Sequence, residues 1–89
     1  MEVNTELILI RITGLDRPGL TASFTEILSE YDVTILDIGQ ADIHSTLSLG
    51  ILFKSRKEDS GNIMKELLFK ASDMGVNIRF YPVPVEEYE

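Results

Sequence analysis

The sequence predicts an α+β sandwich: one four-stranded antiparallel sheet in the order 4-1-3-2, with two helices on one face. Three observations carry this prediction. Four segments alternate their side chains at the strand period of two, and they are rich in isoleucine, leucine and valine. Two other segments carry apolar stripes at the helical period. The segments follow one another as βαββαβ, and right-handed crossovers fold that order into the split βαβ, or ferredoxin-like, arrangement.

The first strand covers residues 7–13. Ile8, Ile10 and Ile12 share one face, and Leu7, Leu9 and Arg11 share the other. Apolar residues on both faces place this strand centrally in the sheet. The first helix covers residues 18–31, where Leu20, Phe24, Ile27, Leu28 and Tyr31 form a single stripe. The second strand, 33–43, sets Val33, Ile35 and Asp37 on one face and Thr34, Leu36 and Ile38 on the other. Gly39 interrupts that pattern and marks either a bulge or a place where another backbone approaches. His44, Ser45 and Thr46 read as a hairpin turn. Leu47, Leu49, Ile51 and Phe53 then alternate with Ser48, Gly50 and Leu52 in a third strand. Residues 55–62 read as a polar loop, with Asp59 or Ser60 capping the second helix. Met64, Leu67, Leu68 and Ala71 form the apolar face of that helix, with Ile63 and Met74 alongside, and Gly75 ends it. Val76, Ile78 and Phe80 alternate in the fourth strand. Pro82 and Pro84 end its regular pairing and put it at a sheet edge.

The turn between the first strand and the first helix is the richest stretch for function. Gly14 allows a sharp exit from the strand, and Asp16 supplies a short acceptor ahead of the helix. Pro18 suits a first helical position, where its missing N–H does no harm. Gly19 has no Cβ, so a backbone or a small ligand can come close. The N–H groups that open the helix, together with its dipole, favour an anion there.

Composition excludes several classes of function. Eighty-nine residues make one domain with a modest core. A net charge of −7 argues against nucleic acid as a partner, since the only dense basic patch, Lys54-Ser55-Arg56-Lys57, is followed at once by Glu58 and Asp59. No apolar run is long enough to span a membrane, and no signal peptide is evident. The chain has no cysteine and a single histidine, His44, so it lacks the residues for an imidazole metal site or a Cys–His dyad. Asp37 and Asp42 lie five apart on a strand and point to opposite faces unless Gly39 bulges, which gives an acid–base pair poor support. The central strands carry Ile and Leu where an RNA-recognition module needs exposed aromatics. Arg17 sits in a loop comparable to the phosphate loop of acylphosphatase, but its neighbours do not match that motif.

Thr13-Gly14-Leu15-Asp16-Arg17-Pro18-Gly19-Leu20 resembles the loop of ACT domains, small-molecule-sensing modules of amino-acid metabolism. The likeness extends over the whole βαββαβ chain. Ile35-Leu36-Asp37-Ile38-Gly39-Gln40-Ala41, with Leu47-Ser48-Leu49-Gly50-Ile51-Leu52-Phe53, is similar to the N-terminal region of bacterial phosphoserine phosphatases. That resemblance implies a regulatory ACT domain over residues 1–85 and the start of a linker at 86–89. It also implies a cytoplasmic parent enzyme of serine biosynthesis with a Mg²⁺-dependent catalytic domain of the haloacid-dehalogenase type. The Asp-x-Asp-x-Thr/Val signature of that catalytic domain is missing here, so this stretch is expected to be non-catalytic and to hold no cofactor. The alternative parent is formyltetrahydrofolate deformylase, whose N-terminal domain carries a similar loop. In ACT domains that bind amino acids, the ligand lies between two copies, against the first loop and the start of the second strand. The resemblance therefore names Asp16, Arg17, Pro18, Gly19, Leu20, Thr21, Thr34 and Asp37 as ligand-binding residues, with Thr34 standing where such domains often carry asparagine. It implies L-serine as the first ligand to try, and a homodimer or pairing with a second ACT domain. A ligand-free dimerisation module is the other reading.

Overall fold

A computed structural model describes residues 4–84. The elements are β1 (Thr5–Leu15), α1 (Leu20–Ser29), β2 (Thr34–Ile43), β3 (Thr46–Arg56), α2 (Lys57–Met74) and β4 (Asn77–Val83). They form one sheet in the order β2-β3-β1-β4, with every neighbouring pair antiparallel. This is the expected order, with β1 central and β4 at an edge.

One face of the sheet makes the core. Ile8, Ile10 and Ile12 of β1 pair with Phe53, Ile51 and Leu49 of β3, and all six side chains are buried. Leu20, Phe24, Ile27 and Leu28 of α1 and Ile63, Leu67 and Ala71 of α2 close over them. Each large apolar side chain buried in this way contributes about 1.5–3 kcal/mol. Leu68, expected on the buried face of α2, is half exposed, and Ile63 takes the central place instead. No helix of the described residues is long and apolar enough to cross a membrane.

Several element boundaries depart from the sequence reading. The first helix begins at Leu20, because Gly19 has a left-handed backbone with φ 79° and acts as its N-cap. Pro18 therefore precedes the helix and does not open it. The helix also ends early, at Ser29, and Tyr31 packs on the core from the turn beyond, its hydroxyl donating to the Glu66 carboxylate.

The polar loop expected at 55–62 does not exist, since α2 starts one residue after β3 ends. Ser55 takes the last inward position of β3 and Ser60 the first inward position of α2, and their hydroxyls lie 2.9 Å apart. The Ser60 hydroxyl also reaches the Arg56 carbonyl at 3.3 Å. Two serines at core positions satisfy each other, which hides the apolar pattern without breaking the packing. Neither Asp59 nor Ser60 caps α2, whose N-cap is Arg56 with no side-chain capping bond. Glu58 and Asp59 sit in the first turn, where the helix dipole favours them, and Arg56 pairs with Glu58.

The bulge in β2 falls at Leu36 and not at Gly39. Ile35 lies opposite Phe53 and Ile38 opposite Ile51, so both face the helix side although they are three residues apart. An extra residue between them makes that possible. The shift moves Asp37 to the open face, opposite Leu52, where its carboxylate accepts the Ile38 N–H at 2.9 Å. Asp42 stays on the helix side, opposite Leu47, so the two aspartates still point apart. At the other edge β4 continues through Pro82 to Val83, because an edge strand has one side on which a missing N–H costs nothing. Residues 86–89, read as the start of a linker, lie outside the described residues.

Candidate functional site: the loop between β1 and α1

Gly14 fixes where the loop begins. A Cβ there would stand 2.8 Å from the Val76 Cγ1, so the bare Cα lets the strand after α2 approach β1. The chain then leaves the sheet at Leu15 and is tied down at three points. The Asp16 N–H donates to the Ser45 carbonyl of the β2–β3 turn at 3.0 Å. The Arg17 guanidinium donates to the Met74 carbonyl at 2.6 Å, at the negative end of the α2 dipole. The Leu20 N–H closes a turn onto the Arg17 carbonyl at 3.2 Å.

These ties shape a shallow depression of about 550 Å³, lined by residues 16–22 and Gln40. Asp16 forms no ion pair among the described residues. Gly19 accepts the first helical bond, from the Ser23 N–H at 2.9 Å, which leaves the N–H groups of Thr21 and Ala22 without an intrahelical acceptor. An acceptor and two donors thus border one cavity. The Thr21 hydroxyl donates to Gln40 Oε1 at 3.0 Å, and Gln40 Nε2 reaches Asp42 Oδ2 at 3.4 Å.

The residues expected to bind ligand divide into three groups. Asp16, Pro18, Gly19 and Thr21 line the depression with exposed or half-exposed surface. Arg17 and Leu20 border it but are engaged elsewhere, Arg17 by the Met74 carbonyl and Leu20 by a side chain only 2% exposed in the core. Thr34 and Asp37 do not join the loop within one chain. Thr34 pairs with Lys54 on the open face, six positions from Gln40, roughly 20 Å along the strand. Gln40 was missed by the sequence reading. Its signal is register: it faces the helix side, opposite buried Leu49, at a position where an apolar residue would otherwise stand.

His44 is exposed at the β2–β3 turn with φ 61°. No group of three or more metal-ligating side chains stands together among the described residues.

Comparison with known proteins places this geometry. A UPF0237 protein of Pyrobaculum aerophilum is 27% identical over 85 residues, which cover 93% of this chain and 94% of that protein. Phosphoserine phosphatase SerB2 of Mycobacterium tuberculosis is 40% identical over 45 residues, 51% of this chain but only 11% of the phosphatase. The structure of formyltetrahydrofolate deformylase from Burkholderia mallei shares the fold, with a TM-score of 0.78 at 9% identity, over 86% of this chain and 28% of that one. The family model for the ACT domain matches residues 6–81. A βαββαβ sandwich with its glycine-bearing loop between β1 and α1, matched over that range, belongs to the ACT domain family.

Proposed function

We propose that this chain is a regulatory ACT unit whose β1–α1 loop takes a small amino acid, with L-serine as the first candidate. The single observation that carries the reading is the pairing of chemistries around one depression. The Asp16 carboxylate lies free on one side, and the Thr21 and Ala22 N–H groups open on the other. An α-amino acid presents the complement, an ammonium group for Asp16 and a carboxylate for the helix start. The Thr21–Gln40 pair supplies a hydroxyl and an amide beside it, suited to a short polar side chain such as that of serine.

The partial match to a phosphoserine phosphatase supports a parent enzyme of serine biosynthesis, in which Mg²⁺-dependent chemistry and a cytoplasmic location belong to the rest of that protein. The UPF0237 relative, nearly all of which this domain covers, supports a smaller protein built on the ACT unit itself. The shared fold keeps the deformylase as an alternative parent. In each case the sensing role sits in this domain, completed by a second ACT unit. Thr34 and Asp37, remote from the loop in one chain, would then reach a ligand only from such a partner.

A ligand-free pairing module is the second reading. It is favoured by β2, an edge strand that is exposed along nearly its whole length.

Titration calorimetry with L-serine tests the first reading, with glycine and D-serine as controls. Asp16→Ala should weaken serine binding by about 1.5–3 kcal/mol, roughly ten- to a hundredfold. No heat at millimolar serine would leave the pairing module. Equal affinity in wild type and variant would reject the loop as the site.

A further inference from the structure

The face of the sheet that the helices leave open has a pattern of its own. Cross-strand partners put Gly39, Gly50, Arg11 and Arg79 in one row across all four strands. The two glycines stand side by side on β2 and β3, and a Cβ at Gly39 would meet nothing within 4 Å, while one at Gly50 would meet only the Ile10 carbonyl at 3.9 Å. Bare backbone therefore forms a trough of about 480 Å³, bordered by Leu9, Leu52, Val83 and Asp37. The other half of the row is its opposite. Arg11 and Arg79 face each other directly across β1 and β4, and neither forms an ion pair among the described residues. Like charges at directly opposed strand positions disfavour the isolated sheet.

We propose that this face docks a second copy of the chain, sheet against sheet. A two-fold axis parallel to the strands, midway between β3 and β1, lays β2 over the partner's β4 and β3 over the partner's β1. Every row then meets itself reversed. The Gly39–Gly50 trough receives the partner's Arg79 and the partner's Arg11, and the same contact repeats on the other side. Asp37 lies in the next row, about 7 Å away along the strand, within reach of the partner's Arg79. The row of Asp37, Leu52, Leu9 and Tyr81 sets its leucines against those of the copy.

Shape, charge and area all suit this occupant. The bulky side chains of one half fill the empty half of the other, and the two unpaired guanidinium groups gain a carboxylate neighbour. Three of the exposed apolar side chains, Leu15 at 68%, Ile43 at 74% and Tyr81 at 41%, also lie on this face. Leu7, at the Thr34 end of this face, is already buried at 4% exposure, which leaves four open rows. Four strands about 4.8 Å apart and four rows about 7 Å apart give roughly 540 Å² per copy. The total of about 1,100 Å² clears the roughly 1,000 Å² that a specific interface needs. Aligned packing of two sheets is a common way to cover such faces.

Sedimentation velocity from one to one hundred micromolar tests the proposal, with thermal melts to confirm that each variant folds. Wild type should associate. Asp37→Arg and Arg79→Asp should each weaken association by about tenfold or more, and the double variant should restore it, because each contact is re-formed with the charges exchanged. Arg79 lies on β4, the edge farthest from β2, so its effect separates this interface from pairing along the β2 edge. Serine titration of Arg79→Asp, a residue outside the proposed ligand site, keeps the ligand reading as an independent result. A monomeric wild type, an Arg79→Asp variant that associates like wild type, or a double variant no better than the singles would overturn the proposal.

Discussion

Replacing the two buried serines singly and together is the sharpest test of how β3 joins α2. Ser55 is 1% exposed and Ser60 is 4% exposed. Their hydroxyls lie 2.9 Å apart, and the Ser60 hydroxyl also reaches the Arg56 carbonyl at 3.3 Å. The chain of donors therefore runs from Ser55 to Ser60 and from Ser60 to Arg56. Ser60→Ala strands the Ser55 hydroxyl in the core and should cost about 1–3 kcal/mol. Ser55→Ala leaves Ser60 still donating to Arg56, so its cost should be nearer 0.5–1.5 kcal/mol, roughly one ordinary hydrogen bond. In the double variant no orphan remains, and the loss should fall short of the sum by about 1 kcal/mol. Urea unfolding reads these values as midpoint shifts at constant m. For a domain of this size each kcal/mol moves the melting temperature by about 4–8 °C. If Ser55→Ala costs as much as Ser60→Ala, or if the two losses add, the direction assigned to these bonds is wrong.

Two further expectations concern the site and the turn after α1. Gly19→Ala should destabilise by about 1–2 kcal/mol, and Gly19→Val by more, because φ is 79° while the space around the added Cβ is open, so the cost is backbone strain alone. Gly19→Asn should recover much of the loss in the same melts, and an asparagine as costly as valine would mean that steric contact decides. The Tyr31 phenol is pushed up to about 12, first by its hydrogen bond to Glu66, then by burial and by the charge of Glu66. Its folded pKa lies above the unfolded value near 10, so the neutral hydroxyl's contribution is complete below pH 10 and is lost as pH rises towards 12. Stability measured against pH should fall through that window, and Tyr31→Phe should flatten the fall. An unchanged slope in Tyr31→Phe would assign it to other groups.

Periodicity made most of the fold legible, since isoleucines at alternate positions of β1 and leucines at alternate positions of β3 have no other economical reading. The boundaries were less legible, because each depends on a residue used against type. Serines at core positions made a buried helix start look like a loop. A glycine with a left-handed backbone moved the start of α1 by two residues past Pro18. Glycine is the usual mark of a bulge, so the pattern points to Gly39, although the three-residue spacing of Ile35 and Ile38 already requires an extra residue between them, at Leu36. The candidate site was half legible. A motif exposes loop residues such as Asp16, but the place of Gln40 comes from strand register, and the engagement of Arg17 comes from the far end of α2.

The sandwich is lopsided. The core-facing strand positions buried beneath the helices belong to β1 and β3, and α2 also packs against β4, whereas β2 is held by β3 and, among the described residues, a single side-chain bond from Thr21 to Gln40, and carries no fully buried residue. Ile35 and Ile38 are 42% and 46% exposed on the side where helices should shelter them. Such a strand can peel away without opening the core, so its amides belong to the low-stability end of hydrogen exchange. Whatever covers β2 gains a selective hold on one element, because binding only the closed form raises the stability of that strand by mass action and leaves the rest of the domain as it was. In a domain with so few moving parts, the loosest strand is the one through which occupancy can be felt.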